Sequence, residues 1–263
     1  MTDRTALSTA PAPAQGIRAR LLGLAHRVGA LVPAWLGGHL HRLPPRFTFG
    51  ITGPFNGQRR RVAAVAAMFR AVPFAVVIET GTYRALTTLH LRSITRAPIA
   101  TVEVNQRYFA YARRRLRSKP DVHQFLGDSP AVLASLAADG AWRAEPAFFY
   151  LDAHWLNRLP LVEELAMIRG AWSEFAALID DFRVDGDEGY FYDDYGPGKA
   201  LVLELLAQPE LADLHVFWPA AHSSRETGAR RGWVVLASPG SVAEALAGVG
   251  ELRAGGVLGE LVG

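Results

Sequence analysis

Short apolar runs alternate with amphipathic stretches over most of the chain. Five runs rich in β-branched or aromatic residues have the length of strands and lie at 75–79, 99–103, 122–126, 147–151 and 176–179. The stretches before and between these runs carry apolar residues at helical spacing, at 61–72, 84–95, 105–117, 130–138 and 158–171. Strands that alternate with helices in this way predict a parallel sheet covered by helices on both faces.

The pattern changes after the fifth run. A predicted helix at 199–207 precedes two further strands near 213–218 and 232–237, and the connection between these two strands has no helical periodicity. Such a connection favours an antiparallel hairpin. The predicted fold class is therefore α/β, a doubly wound and mostly parallel seven-stranded sheet of Rossmann-like type. An antiparallel C-terminal hairpin completes this domain, which spans residues 57–240.

Both ends of the chain differ from this central domain. Residues 1–16 are small and polar and are predicted to be a disordered tail. Residues 17–56 are predicted to form a helical appendage, because apolar and basic residues over 17–46 make an amphipathic helix. That helix either docks on a membrane surface or a partner, or packs on its own domain. Residues 241–263 are predicted to form a C-terminal extension.

Composition excludes several classes of protein. Half of the 263 residues are hydrophobic and the charges are mixed, which excludes disorder throughout the chain. The absence of cysteine excludes disulfides, zinc-thiolate sites and cysteine nucleophiles. The net charge of +3 comes without a basic run interleaved with aromatics, so we expect no nucleic-acid partner.

Targeting signals are also missing from the sequence. No apolar run reaches the roughly 18 residues of a membrane span, and the first residues lack the apolar core of a signal peptide. We therefore expect a cytoplasmic protein without a transmembrane segment, whose partner is a small molecule. Homo-oligomerisation is left open by the sequence.

Acidic residues follow each of the five predicted parallel strands. They are Glu79, Glu103, Asp128, Asp152 and the pair Asp180-Asp181. Ligands of a doubly wound sheet bind beyond the carboxyl ends of the strands, near the point where the strand order reverses. One acidic residue at such a position is often only a helix N-cap, but its repetition at every strand end indicates a site.

The loop after the first strand indicates the class of cofactor. A dinucleotide fingerprint needs glycines where Tyr83 and Leu86 follow Gly81, and the chain has no P-loop. One glycine is enough beneath a nucleoside that carries no phosphate. Glu103, 22 residues after Gly81, is placed to accept hydrogen bonds from ribose hydroxyls, and Asp128-Ser129 would lie beside adenine. A nicotinamide-dependent oxidoreductase is the alternative that the missing glycines disfavour.

Four strand-end motifs resemble those of class I S-adenosylmethionine-dependent methyltransferases. They are Val77-Ile78-Glu79-Thr80-Gly81-Thr82, Val102-Glu103, Gly127-Asp128-Ser129 and Tyr150-Leu151-Asp152, within residues 57–237. The first loop, Glu-Thr-Gly-Thr-Tyr-Arg, has fewer glycines than is usual in this family and resembles the variant of some natural-product O-methyltransferases. The resemblance implies that S-adenosylmethionine is the cofactor, with the glycine loop under its methionine part, the second-strand acid on its ribose and the third-strand acid by its adenine.

The same resemblance implies a set of cofactor-binding residues and an activity. The residues are Glu79, Thr80, Gly81, Thr82, Tyr83, Glu103, Asp128, Ser129 and Asp152. The implied activity is methyl transfer to a hydroxyl of a small molecule, either a sugar or a natural-product scaffold. The alternatives are a metal-independent methyltransferase with His154 as base and an oxygen or nitrogen acceptor, and a non-catalytic nucleoside-binding domain.

Three carboxylates end two strands that we expect to be neighbours. Asp152 ends the fourth strand and Asp180-Asp181 end the fifth, and adjacent strands lie about 4.8 Å apart, so the three side chains are predicted to converge on one cation. Oxygen ligands suit Mg²⁺ or a similar divalent ion, and some O-methyltransferases of the resembled family use such a set. In the alternative, Asp180 packs locally and Asp181 caps the next segment.

The loop after the fourth strand carries the predicted catalytic residues, His154 and Asp152. An imidazole there accepts the proton of a substrate hydroxyl, ligates the metal, or only hydrogen-bonds to backbone. Trp155 is predicted to be a wall of the pocket.

The least regular segment of the domain is 182–198. It carries Tyr190, Phe191, Tyr192 and Tyr195, and a long aromatic loop at this edge predicts a lid or a substrate wall. Near the final hairpin, Arg225, Arg230 and Arg231 meet either an anionic group or solvent.

Overall fold

The computed structural model describes residues 53–154 and 158–263. The predicted tail at 1–16, the amphipathic stretch at 17–46 and Trp155 lie outside the described residues. Among the helices that the described part contains, none is long and apolar enough to cross a membrane.

The described elements follow the predicted alternation of helices and strands. The strands are β1 Val76–Thr80, β2 Ile99–Glu103, β3 Val122–Leu126, β4 Ala147–Leu151, β5 Phe175–Asp180, β6 His215–Pro219, β7 Trp233–Ala237 and β8 Leu252–Val257. The α-helices are α1 Arg59–Ala71, α2 Leu86–Ile94, α3 Gln106–Leu116, α4 Ser129–Ala138, α5 Leu161–Ala171, α6 Ser241–Ala247 and α7 Leu258–Val262. Single 3₁₀ turns lie at Phe55–Gly57, Gly140–Trp142, Leu203–Leu206, Pro209–Leu211 and Ser223–Arg225.

All eight strands belong to one sheet, in the order β3-β2-β1-β4-β5-β7-β6-β8. The first five strands along the chain pair in parallel, and β7 pairs antiparallel with both β5 and β6. The predicted α/β class, the parallel sheet and the antiparallel hairpin are therefore confirmed. The chain leaves β1 towards β3 and then returns to β4, so the strand order reverses between β1 and β4. A doubly wound sheet binds its ligands at this position.

The sheet contains one strand more than the predicted seven. β8 pairs antiparallel with β6 and comes from the predicted C-terminal extension. Its sequence holds Gly255 and Gly256 and lacks the alternating apolar pattern of a strand. A Cβ atom on Gly255 would lie 2.6 Å from Nε1 of Trp218, so the glycine makes room for a buried tryptophan of β6.

The predicted helix at 199–207 is wrong in extent. The chain forms only the 3₁₀ turn Leu203–Leu206 there, and Pro209 starts the next turn. Proline disfavours a helical conformation in the residue before it, which limits the space for an α-helix.

The core consists of two apolar layers, one on each face of the sheet. Alternate residues of the central strands enter opposite layers, as in β4, where Phe149 and Leu151 pack on one side and Phe148 and Tyr150 on the other. Every residue of β4 and β5 is buried. These two buried strands carry Asp152, Asp180 and Asp181 at their carboxyl ends.

Candidate active site

The loop after β1 packs directly on the loop after β4. Gly81 has a φ of 91°, and a Cβ atom at this position would lie 2.3 Å from the carbonyl oxygen of Asp152. The backbone N–H of Asp152 donates to the carbonyl of Thr80 at 3.0 Å. Glycine is therefore required by the close approach of the two chains at the point where the strand order reverses.

Glu79 lies beneath this loop in a buried hydrogen-bonded network. The hydroxyls of Thr88 and Thr101 donate to its Oε2 at 2.5 and 2.6 Å, and the Thr82 hydroxyl lies 2.5 Å from that of Thr101. Burial raises the pKa of Glu79 to about 7, although these hydroxyls oppose the shift. Glu79, Thr80 and Thr82 are all buried, whereas Tyr83 is 45% exposed. The network therefore supports the loop from below, and Tyr83 is its solvent-facing side chain.

Glu103 joins the loops that follow β1 and β2. Its two carboxylate oxygens accept separate backbone N–H groups, Oε2 that of Tyr83 and Oε1 that of Asn105, each at 2.8 Å. Burial raises the pKa of Glu103, and the two backbone donors oppose this shift. The carboxylate is thus held in one orientation at the carboxyl edge of the sheet.

Asp128 and Ser129 lie at the start of α4. Arg158 donates to Asp128 through Nε at 3.2 Å and Nη2 at 2.6 Å, and both side chains are substantially exposed. Ser129 is buried. Asp128 therefore faces a guanidinium from the segment that precedes α5.

Asp152, His154 and Asp181 form a cluster of potential metal ligands. One ligand atom from each residue lies within 4.8 Å of the other two. His154 Nε2 is 3.9 Å from Oδ1 of Asp152 and 3.8 Å from Oδ2 of Asp181. This nitrogen is buried and has no hydrogen-bond partner among the described residues. Two carboxylates and an unpartnered imidazole nitrogen are a donor set that fits a divalent cation.

The cluster has a strongly negative environment. Burial alone would lower the pKa of His154, but the carboxylates of Asp181, Asp152 and Asp193 together raise it to about 9. Burial and the charges of Asp180 and Asp181 raise the pKa of Asp152 well above its usual range. Without a cation, the imidazole therefore carries a proton at neutral pH and is a poor general base.

Asp180 lies close to Asp152 but is not one of the three residues of the cluster. Its carboxylate forms an ion pair with Arg61 of α1, and both side chains are fully buried. The Tyr150 hydroxyl donates to Asp180 Oδ2 at 2.5 Å and the Asn56 amide donates to the same oxygen at 3.0 Å. Of the three predicted metal ligands, the structure brings together Asp152 and Asp181 and adds His154 to them. It does not bring in Asp180, because Arg61 neutralises that carboxylate inside the protein.

Arg231 and Asp193 are site residues that the sequence pattern does not assign to the site. Arg231 Nε donates to Asp181 Oδ1 at 2.5 Å, and its Nη2 forms an ion pair with Asp193. Arg231 was expected to meet either an anionic group or solvent, and in the structure it meets the carboxylates of Asp181 and Asp193. Asp193 lies within the aromatic segment 182–198. The predicted position of this segment at the site was the only feature of the sequence that pointed to Asp193.

The aromatic side chains of that segment have separate environments. Tyr190 is buried and its hydroxyl donates to the carbonyl of Ala221 at 2.8 Å. Tyr195 donates to Asp193 Oδ2 at 2.5 Å. Phe191 and Tyr192 are 46% and 37% exposed and form the accessible part of this surface.

Comparisons with known proteins identify solved structures that have a similar fold. No protein-family model and no curated protein matches the chain. An O-methyltransferase from Bacillus cereus, solved in complex with S-adenosylhomocysteine, superposes with a TM-score of 0.50 at 14% identity, over 79% of this chain and 93% of that one. A Staphylococcus aureus protein named as a caffeoyl-CoA O-methyltransferase has a TM-score of 0.52 at 12% identity, over 84% and 99% of the two chains.

A third structure, of a Klebsiella pneumoniae protein named as an O-methyltransferase, has a TM-score of 0.50 at 15% identity and covers 82% of this chain and 96% of its own. Identities this low establish a common architecture. The chain therefore shares the Rossmann-like α/β fold of these O-methyltransferase structures.

Proposed function

We propose that the protein transfers a methyl group from S-adenosylmethionine to a hydroxyl of a small molecule, a sugar or a natural-product scaffold, with the help of a divalent cation. The observation that carries the proposal is the packing of the Gly81 loop on Asp152. The backbone of Asp152 packs on the loop that is proposed to bind the cofactor, and the side chain of Asp152 belongs to the acidic cluster. Cofactor and acceptor would therefore meet at the reversal point between β1 and β4.

The cofactor side of the site rests on the two loops that Glu103 joins. Glu103 uses one lone pair of each oxygen for a backbone N–H, which leaves further lone pairs for ribose hydroxyls. Gly81 supplies the tight turn under the methionine part, and Tyr83 is the exposed side chain beside it. Asp128 and Ser129 are proposed for the adenine side, where Arg158 would share Asp128 with the base.

The cation is proposed to bind Asp152, His154 and Asp181. The fit rests on the buried Nε2 of His154, which has no hydrogen-bond partner among the described residues, and on the two carboxylates that face it. Carboxylates suit Mg²⁺ and Mn²⁺, and the imidazole also suits transition metals. A bound divalent cation would lower the pKa of an acceptor hydroxyl and fix its oxygen for methyl transfer.

The chain's own residues would prepare the site in two ways. His154 must lose its proton to act as a ligand, so its raised pKa makes cation binding dependent on pH. Phe191 and Tyr192 offer exposed apolar surface on the same loop as Asp193, which suits an acceptor that contains a ring.

Calorimetric titration tests the cofactor assignment. We expect the protein to bind S-adenosylmethionine and S-adenosylhomocysteine at micromolar concentrations and not to bind NAD. Glu103→Gln should weaken both sulfur ligands at least about tenfold, since a bidentate hydrogen bond to ribose is lost. Glu251→Gln, at an exposed position, is the control. If neither sulfur ligand binds the wild-type protein, the proposed function is wrong.

The cation assignment has a separate test. Asp181→Asn should abolish activation by Mg²⁺ or Mn²⁺ in a screen of hydroxylated acceptors and leave S-adenosylhomocysteine binding unchanged. The exposed Asp213→Asn is a matched control, because Asp213 pairs with Arg169 away from the site. If the wild-type protein keeps full turnover in EDTA, the cation assignment is wrong and the protein is a metal-independent methyltransferase. Binding without turnover of any acceptor would instead favour a nucleoside-binding domain.

A further inference from the structure

We infer that Arg231 is a positioning residue of this site, which orients Asp181 towards His154, and that Asp193 in turn holds Arg231. The inference rests on the proposed function, because it concerns how the cation ligands are presented. It assigns a role to an ion-pair chain, Asp181–Arg231–Asp193, that neither the fold nor the ligand set requires.

The two oxygens of Asp181 have different partners. Arg231 Nε donates to Oδ1 at 2.5 Å, whereas Oδ2 lies 3.8 Å from Nε2 of His154. Asp181 has a φ of 55°, an uncommon conformation outside glycine, and its side chain is only 17% exposed. With one oxygen fixed by the guanidinium, the other is left facing the imidazole. A carboxylate held in this way presents one oxygen to a cation.

Asp193 is itself fixed by its backbone and its side chain. Its N–H donates to the carbonyl of Asp181 at 2.9 Å, and its own carbonyl accepts the N–H of Leu201 at 2.9 Å. The Tyr195 hydroxyl donates to Oδ2 at 2.5 Å, which leaves Oδ1 for the guanidinium of Arg231. The aromatic segment is thereby attached to the acidic cluster through one ion pair.

The backbone of Arg231 is anchored by two side chains from the start of α1. Its N–H donates to Gln58 Oε1 at 2.7 Å, and its carbonyl accepts Gln58 Nε2 at 3.0 Å and Arg61 Nη2 at 2.5 Å. The backbone that carries this guanidinium is therefore held in place. A planar guanidinium can serve two carboxylates with separate N–H groups, which a lysine ammonium cannot reproduce in the same geometry.

Positioning and simple charge screening make opposite predictions for cation affinity. Arg231 places a positive charge beside a proposed cation site, so removal of that charge alone should strengthen cation binding. If Arg231 instead orients Asp181, its removal should weaken cation binding, because Asp181 can turn away from His154. Changes next to metal ligands of this kind typically cost about tenfold to a hundredfold in metal affinity.

The experiment is a calorimetric titration of the full chain with Mn²⁺, in the absence of cofactor. We expect Arg231→Met to bind Mn²⁺ about tenfold to a hundredfold more weakly than the wild type, and Arg231→Lys to lie between the two. Arg230→Met removes the same charge from the neighbouring residue and should not weaken binding. Binding of S-adenosylhomocysteine should be unchanged in all three variants, which also reports that each is folded. If Arg231→Met does not fold, Arg231→Lys tests the inference, because it keeps the charge and should still bind Mn²⁺ more weakly than the wild type.

The role of Asp193 is tested by a double-mutant cycle. If Asp193 acts through Arg231, Asp193→Ala should weaken Mn²⁺ binding in the wild type and have no further effect in the Arg231→Met background.

The outcomes separate the inference from the proposed function. Mn²⁺ binding to Arg231→Met that equals or exceeds that of the wild type overturns the positioning role and leaves the cation site standing. A wild-type protein that binds S-adenosylhomocysteine but not Mn²⁺ overturns the cation site, and the positioning role with it.

Discussion

Arg61 and Asp180 form an ion pair from which solvent is fully excluded, although they are 119 residues apart in the sequence. This pair explains why two adjacent aspartates have different surroundings. Asp180, the last residue of β5, points into the protein and is neutralised there. Asp181, turned by its left-handed backbone conformation, points to the cluster with Asp152 and His154.

The Arg61–Asp180 pair should be essential for stability. Arg61→Met leaves the Asp180 carboxylate buried without its cation, and we expect the free energy of unfolding to fall by about 3–5 kcal/mol. Denaturant unfolding measures this loss. Arg60→Met, which changes an exposed neighbour, should have little effect. A loss of less than about 1 kcal/mol for Arg61→Met would contradict the prediction, since it would mean that water or another cation replaces the guanidinium.

Gly81 should not tolerate a side chain. Gly81→Ala places a Cβ atom 2.3 Å from the Asp152 carbonyl oxygen in a backbone conformation with φ of 91°. We expect a loss of at least about 2 kcal/mol in unfolding free energy and weaker binding of S-adenosylhomocysteine. Gly170→Ala is the matched control, because a Cβ atom there meets nothing within 4 Å in helix α5. It should be neutral or stabilise the protein by up to about 1 kcal/mol.

The sequence predicts the scaffold of this site better than its side-chain partners. Apolar runs identify β1 to β5, and the parallel order then brings their carboxyl ends to one edge, so Glu103, Asp152 and Asp181 are found by position alone. The direction of a side chain at a strand end depends on local backbone angles. The strand pattern therefore gives no means of separating Asp180 from Asp181.

Long-range partners explain the remaining differences. Arg61 reaches Asp180 from α1, and Arg231 reaches Asp181 from the segment just before β7, 50 residues further along the chain. No local spacing encodes these contacts. β8 is not predicted for a different reason, because Gly255 is required by the packing of Trp218 and weakens the strand pattern of the sequence.

Glu79 should make the stability of the protein depend on pH. Its pKa is raised from 4.5 to about 7 in the folded protein, so the folded state holds a proton that the unfolded state releases. The contribution is complete below about pH 4.5 and is lost as the pH rises to about 7, for a change on the order of 3 kcal/mol. Glu79→Gln resembles the protonated form and should remove this dependence, whereas exposed Glu251→Gln should retain it.

Urea unfolding at several pH values measures this effect. We compare the unfolding free energy of Glu79→Gln with that of the wild type at each pH. The variant minus wild-type value should rise between pH 4.5 and pH 7 and be constant above pH 7. A difference that does not change with pH would mean that folding does not raise the pKa of Glu79.

Tyr150 should stabilise the same buried carboxylate as Arg61 through its hydroxyl alone. The hydroxyl donates to Asp180 Oδ2 at 2.5 Å and lies 3.2 Å from Asp152 Oδ2, while the ring packs edge-on against Phe55. Burial and the carboxylates of Asp152 and Asp180 raise the pKa of Tyr150, so the phenol is a donor at neutral pH.

Tyr150→Phe keeps the ring and removes the donor, and we expect it to lower the unfolding free energy by about 1–3 kcal/mol. Tyr192→Phe removes a hydroxyl from a side chain that is 37% exposed and should have almost no effect. The loss should shrink when Asp180→Asn is present, because the hydroxyl then faces a neutral amide in place of a carboxylate. An equal loss in both backgrounds would mean that Tyr150 acts through packing and not through Asp180.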